Sequence, residues 1–300
     1  MLVLSLLTWS LALPGPARAA RVVAVVTTQA DAPVAQVLEG FRRQFAADLE
    51  LQVFQLVEDD LAGAELIGRL RTAHPQLIFV LGSHALKVVA KTVTDIPIVF
   101  GLVLNDQDLP GGRNLTGVFL DFPVATQLDW LHRLLPKARN VGVVYNPAEN
   151  EDRIKAAAGI ASRLGLHLQA RPITSPRELP AALDSLANSS DVLWGLSDRM
   201  VANPQTARNL LLFSFRNRIP YFGLSSAWVE AGALCALGRD YRDIGGQCAE
   251  LAAKILAGQA PETLPPQAPR RVLYSLNGRT AEQMKIELSP ALMRGAEKVY

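Results

Sequence analysis

Short polar turns that follow apolar runs hold the side chains best suited to binding a small molecule. Thr28 and Gln29 follow the run 21–26, and Gly82, Ser83 and His84 follow the run 77–81. Ser83 opens a predicted helix, whose first turn offers free N–H groups and a partial positive charge. A ligand carboxylate would fit there; a plain helix cap is the competing reading of Ser83. Asn146 and Asn150 follow the run 140–145, Ser197, Asp198 and Arg199 follow 192–196, and Ser225 and Ser226 follow 220–223. Asp198 is suited to accept from a ligand ammonium, and Arg199 to pair with a carboxylate through its planar fork. The alternative is that Asp198 caps the following helix while Arg199 lies in solvent.

The elements that must position these turns alternate almost from end to end. Strands are expected at 21–26, 51–56, 77–81, 97–101 and 114–119, with helices at 34–47, 61–73 and 84–92. A polar, turn-rich stretch, 105–113, interrupts the rhythm. A second series follows: helices at 124–135, 152–164, 176–187 and 205–217, and strands at 140–145, 166–173, 192–196 and 220–223. Another strand is expected at 232–237. Ile244, Cys248, Leu251, Ala252 and Ile255 then mark one face of a helix over 240–256, opened by Asp240 and closed by Gly258. The segment 259–270 reads as a crossing rather than a core element, and 271–276 as a last strand. Most strands are unbroken apolar runs, the signature of parallel sheets covered on both faces. The fold class is therefore doubly wound α/β, in two similar lobes. In such sheets ligands bind beyond the carboxyl ends of the strands, where the polar turns lie.

Composition narrows the function classes. A chain of 300 residues is long enough for two cores, and a net charge of +2 gives no basic field for nucleic acid. Four scattered histidines and two cysteines offer no paired metal-ligand spacing, so no metal and no cofactor are expected. An oxidising compartment permits a disulfide between Cys235 and Cys248. The apolar strand and helix face that carry them predict two buried thiols acting as small hydrophobes. The apolar start, 1–13, and the small-x-small run Ala17-Arg18-Ala19 read as a secretory signal peptide over 1–19, with an N-terminal anchor helix as the alternative. No cysteine stands at the cleavage position, so no lipid anchor is expected. Neither a G-x-G-x-x-G phosphate loop after the first strand nor a G-x-S-x-G elbow is present, and the adjacent acids Asp59 and Asp60 read as a helix start. An enzyme is not expected.

Five patterns, in this order, carry a resemblance: Pro75-Gln76-Leu77-Ile78-Phe79-Val80-Leu81-Gly82-Ser83; Ile96-Pro97-Ile98-Val99-Phe100; Gly112-Arg113-Asn114-Leu115-Thr116-Gly117-Val118; Val141-Gly142-Val143-Val144-Tyr145-Asn146-Pro147; and the block 219–258. Together they resemble the periplasmic substrate-binding proteins of ABC transporters, and more narrowly the tryptophan/tyrosine type. The resemblance spans nearly the whole chain after the leader. It implies a type I periplasmic-binding-protein-like fold: two Rossmann-like lobes with parallel sheets, joined by three crossings near Gly117, near Leu234 and in the proline-rich segment. The lobes would be 20–117 plus 235–262 and 118–234 plus 263–300, with the 240–256 helix on the first lobe and the last strand on the second. It also implies ligand contact from the turn at Ser83 and from an acid where Asp198 stands. Asn105-Asp106 replaces a common Asp-Pro, and Glu151 replaces a common Ser, in loops that shape the cleft. His84 stands where small residues are usual. The implied function is a monomeric periplasmic protein that delivers a small polar ligand, an amino acid first in line, to an ABC permease in the inner membrane. A ligand-sensing subunit of a signalling system is the alternative, because it needs the same closure.

Overall fold

The computed structural model describes residues 21–45, 49–56 and 60–300. The expected leader, the end of the first helix at Ala46 and Ala47, and Asp59 lie outside the described residues. The first lobe runs β1 (Arg21–Thr27), α1 (Ala32–Gln44), β2 (Leu49–Gln55), α2 (Asp60–Thr72), β3 (Leu77–Leu81), α3 (Ser83–Thr92), β4 (Ile98–Val103) and β5 (Leu115–Phe119). Its five strands lie in the order β2-β1-β3-β4-β5, all parallel. β3 shows why an unbroken apolar run suits this position. Ile78 and Val80 enter the core beneath α2 and α3, while Leu77, Phe79 and Leu81 enter the core on the opposite face. Every residue of the strand is buried, each worth about 1.5–3 kcal/mol relative to exposure.

The second lobe runs α4 (Val124–Leu134), β6 (Asn140–Tyr145), α5 (Pro147–Arg163), β7 (His167–Pro172), α6 (Leu179–Asp184), β8 (Val192–Trp194), α7 (Pro204–Asn217), β9 (Tyr221–Gly223), α8 (Ser226–Glu230) and β10 (Cys235–Arg239). The chain then returns to the first lobe as α9 (Tyr241–Leu256) and ends with β11 (Val272–Leu276), α10 (Gly278–Met284), α11 (Pro290–Gly295) and β12 (Lys298–Val299). The second sheet has the order β12-β11-β10-β9-β8-β6-β7. It is parallel except where β11 runs against β10. The last strand is therefore not 271–276: β12 adds to the edge beyond it.

α9 packs on the first lobe, as its late apolar face requires. Its Ile244, Cys248, Leu251 and Ala252 share a core with Val23, Val37 and Phe79. Two glycines permit this contact. A Cβ on Gly40 would lie 1.9 Å from the Arg242 carbonyl oxygen, and one on Gly245 would lie 2.0 Å from that of Val37. Only bare backbone lets α1 and α9 approach so closely.

Several expected boundaries move. α5 begins at Pro147, not at 152, because the Asn146 side chain accepts from the Ala148 N–H and Pro147 presets the first helical φ. The strand expected at 232–237 is β10, three residues later at its start, because Gly232 closes α8 with positive φ. β10 pairs with β9 in the second sheet, so the crossing expected near Leu234 falls after Arg239, and 235–239 belong to the second lobe. The crossing expected near Gly117 follows Phe119, since β5 stays paired with β4 to its end. In the proline-rich segment, Gln267 still bridges to β5, accepting from the Phe119 N–H and donating to the Gly117 carbonyl. The third crossing therefore comes after it, and 263–267 stay with the first lobe.

Cys235 and Cys248 are free and buried in opposite lobes. Burial pushes both thiols up from their ordinary range. Among the described residues no helix is long and apolar enough to cross a membrane.

Candidate functional site

A cleft of about 340 Å³ opens between the lobes at the carboxyl ends of their strands. The first lobe supplies Leu104, Asn105, Gln107 and Asp108 from the turn after β4. The second supplies Glu149 from the start of α5, Ser197, Asp198 and Arg199 from the turn after β8, and Leu224 from the turn after β9. The two crossings add Leu120, Arg239 and Tyr241.

Four of the expected residues thus meet in one place: Asn105, Ser197, Asp198 and Arg199. Asn146 and Asn150 stand behind them. Thr28, Gln29, Ser83, His84, Ser225 and Ser226 are not part of the cleft lining. The β1 turn folds on itself, with Thr27 Oγ1 donating to the Gln29 carbonyl, and His84 is exposed on α3. Ser225 caps and Ser226 opens α8, and Leu224 before them takes the cleft position.

The geometry revises three of the assigned roles. Ser83 Oγ donates to Asp108 Oδ2 at 3.1 Å, and Lys87 pairs with Asp108 Oδ1 at 3.5 Å. The anion at the start of α3 is thus the protein's own. Asp198 is buried and fully engaged. Its Oδ1 accepts from the N–H groups of Met200 (3.0 Å) and Val201 (2.9 Å). Its Oδ2 accepts from the Asn146 N–H (2.7 Å) and from Asn150 Nδ2 (2.9 Å). Four donors fill the acceptor sites of a carboxylate, which leaves none for a ligand ammonium. Arg199 is 81% exposed and pairs with Glu149 at 3.5 Å, as in the solvated reading.

The charged centre of the cleft lies at the crossings, at residues that are not among the expected ligand contacts. Arg239 ends β10 with only 15% of its side chain exposed. Its Nε donates to the Leu120 carbonyl at 2.6 Å, Nη1 reaches the Leu224 carbonyl at 3.4 Å, and the guanidinium lies over Phe122. Nη2 faces Asp121 Oδ1 at 3.6 Å, too far for a hydrogen bond. The fork thus retains donors that the described residues do not use. Asp121 also pairs with Arg153 at 3.2 Å. Two guanidiniums face the Asp121 carboxylate here, and the Asp198 carboxylate, held only by neutral donors, stands on the same cleft wall. Around these groups, Leu104, Leu120, Leu224 and Tyr241 provide apolar wall. Such a site can hold a carboxylate at its base and an apolar body above it. Asp121, Arg153 and Arg239 are scattered over the chain, and only the return of three chain passages to one point brings them together.

Residues 30–300 match the family described as ABC transporter substrate binding protein. A tyrosine-binding protein of Clostridioides difficile is 24% identical over 223 residues. That match covers 71% of this chain and 64% of the relative, less than two thirds of its length. Among solved structures, the ligand-free, open form of a substrate-binding protein with adhesive properties from Clostridium difficile superposes with a TM-score of 0.74. It is 21% identical, with 93% of this chain and 99% of that one covered. An ABC domain from Streptococcus pneumonia in complex with L-Trp gives a TM-score of 0.61 at 17% identity, covering 94% and 100%. These likenesses establish the shared two-lobed α/β fold.

Proposed function

This chain belongs to the ABC transporter substrate-binding protein family, and on that footing we propose that it captures a small carboxylate-bearing ligand, an amino acid with an apolar side chain, for import. The observation that carries the reading is the partly buried Arg239 fork at the base of the cleft, with unused donors beneath an apolar wall. The cleft volume falls at the small end of ligand pockets, which suits a single amino acid. The tyrosine and tryptophan named for two similar proteins make L-tyrosine and L-tryptophan the first probes.

In this reading the protein works outside the inner membrane after loss of its leader, as a monomer, and hands its ligand to a permease without altering it. Walls from both lobes let ligand favour a closed state by differential affinity, and the permease reads that state. The test is native mass spectrometry of protein purified without refolding, followed by calorimetry with the amino acids. A bound amino acid, released unchanged, is expected. Protein that carries no amino acid and binds none overturns the proposal, as does chemical turnover of the ligand.

A further inference from the structure

We infer that Asp121 is the positioning residue on which the two walls of the cleft are set relative to each other. Its backbone belongs to the first lobe: the Asp121 N–H donates to the Leu104 carbonyl and that of Leu120 to the Val103 carbonyl, both at 2.8 Å, extending the edge of β4. Its carboxylate belongs to the second lobe. Oδ1 accepts from Ser197 Oγ at 3.1 Å, and Oδ2 pairs with Arg153 of α5 at 3.2 Å.

The same carboxylate also takes a hydrogen bond from Asn105 Nδ2, at 3.3 Å, at the end of β4. Asn105 and Ser197 line opposite walls of the cleft, so one partly buried side chain holds both. The second crossing is tied in as well. Arg239 donates to the Leu120 carbonyl and faces Asp121 Oδ1, so two of the three connections between the lobes meet at one point. Side-chain exposure of 9% for Asp121 and 15% for each arginine keeps water from competing for these bonds.

A pivot at the crossings acts through leverage. A small displacement of Asp121 against Ser197 becomes a large one at the rim, because each lobe moves as a packed body. With the tie intact, the lobes sample a narrow range of separations close to the binding-competent one. With the tie removed the range broadens, and apparent affinity falls by the fraction of competent molecules. This inference concerns the relation between the lobes and needs no ligand for its test.

The experiment measures lobe separation in the full chain by spin labels at exposed sites, Lys91→Cys on α3 and Ala156→Cys on α5, with the two native thiols buried. The parent should give a narrow distance distribution. Asp121→Ala should broaden it at an unchanged folded fraction, and Asp121→Asn should do so in part. Should Asp121→Ala fail to fold, the double variant Arg153→Gln/Ser197→Ala serves in its place, because it removes the contacts of the Asp121 carboxylate with α5 and with the turn after β8. Distributions indistinguishable from the parent in the folded variants overturn the inference and leave the ligand proposal standing. Broadening in a protein that binds no amino acid supports the inference while the ligand proposal fails.

Discussion

Ser83 and Asp108, one at the first turn of α3 and the other in the turn after β4, share a hydrogen bond of 3.1 Å between hydroxyl and carboxylate. A helix start favours an anion, and here the chain supplies that anion from within its own lobe. The positive end of α3 is thereby used in holding the turn that carries Asn105 and Gln107 into the cleft. That turn also reaches across the cleft, where Gln107 Nε2 donates to the Glu149 carbonyl.

Ser83→Ala should therefore leave ligand affinity within about threefold of the parent and cost about 1 kcal/mol of stability, the usual net worth of one such bond. Calorimetry with the bound amino acid and denaturant unfolding measure the two. A tenfold loss of affinity without loss of stability would place the ligand at α3 after all.

Asp198→Ala should act on stability first. It strands the N–H groups of Asn146, Met200 and Val201 in a buried site and leaves the Asn150 amide only its bond to the Ser197 carbonyl. Leaving buried donors unmatched costs about 1–3 kcal/mol each before relaxation, so a total of about 3 kcal/mol or more is expected. Urea unfolding checks it. A fully stable variant that has lost only binding would return Asp198 to the role of ammonium acceptor.

Arg239→Gln should weaken binding of the amino acid at least tenfold, which is about 1.4 kcal/mol. The methyl ester of the same amino acid, which lacks the carboxylate charge, should bind parent and variant alike. Equal losses for acid and ester would mean that the guanidinium acts through the crossing and not through ligand charge.

Gly245→Ala places a methyl group against the Val37 carbonyl oxygen, at 2.0 Å before any shift. α1 and α9 must separate, at a cost of about 1–3 kcal/mol typical of an overpacked core. Thermal unfolding should show the loss. Ala252→Gly on the same helix, which opens space in place of filling it, serves as the comparison.

Stability should fall on the alkaline side. Burial raises the Tyr145, Tyr221 and Tyr274 hydroxyls above their ordinary value of 10.0, and Glu151 beside Tyr145 adds to the shift there. The buried thiols are raised above 9.0. A raised folded-state pKa contributes stability that is present below the unfolded value and is lost as pH climbs past it. Melting temperature should thus decline from about pH 9 upward, and Tyr145→Phe should reduce the slope above pH 10. A flat profile between pH 9 and 11 would contradict the burial of these groups.

Much of the fold was legible in the residues. The run at β3 is apolar throughout and that at β6 from Val141 onward because both sheet faces are covered, and the helix face at Ile244, Cys248, Leu251 and Ile255 announced a partner before any partner was visible. Boundaries were less legible, since the start of α5 depends on the Asn146 cap and that of β10 on the turn at Gly232. The site was legible only as a neighbourhood. Asn105, Ser197, Asp198 and Arg199 do meet at the cleft, because strand ends of parallel sheets converge there. Their partners were hidden, and those partners decide whether a side chain faces a ligand or is used up within the protein.

The sequence by itself determined the alternation of strand and helix, the two lobes and the end of each sheet at which ligand space lies. These follow from periodicity and from turn residues, which act over a few neighbouring positions. Only the tertiary structure decided which charges occupy that space. Arg239, Asp121 and Arg153 come from a strand end, a crossing and a helix that are far apart along the chain. No local pattern links them, and their pairing arises because the crossings pass between two packed bodies, where largely buried charges are satisfied by one another and by polar groups of both lobes.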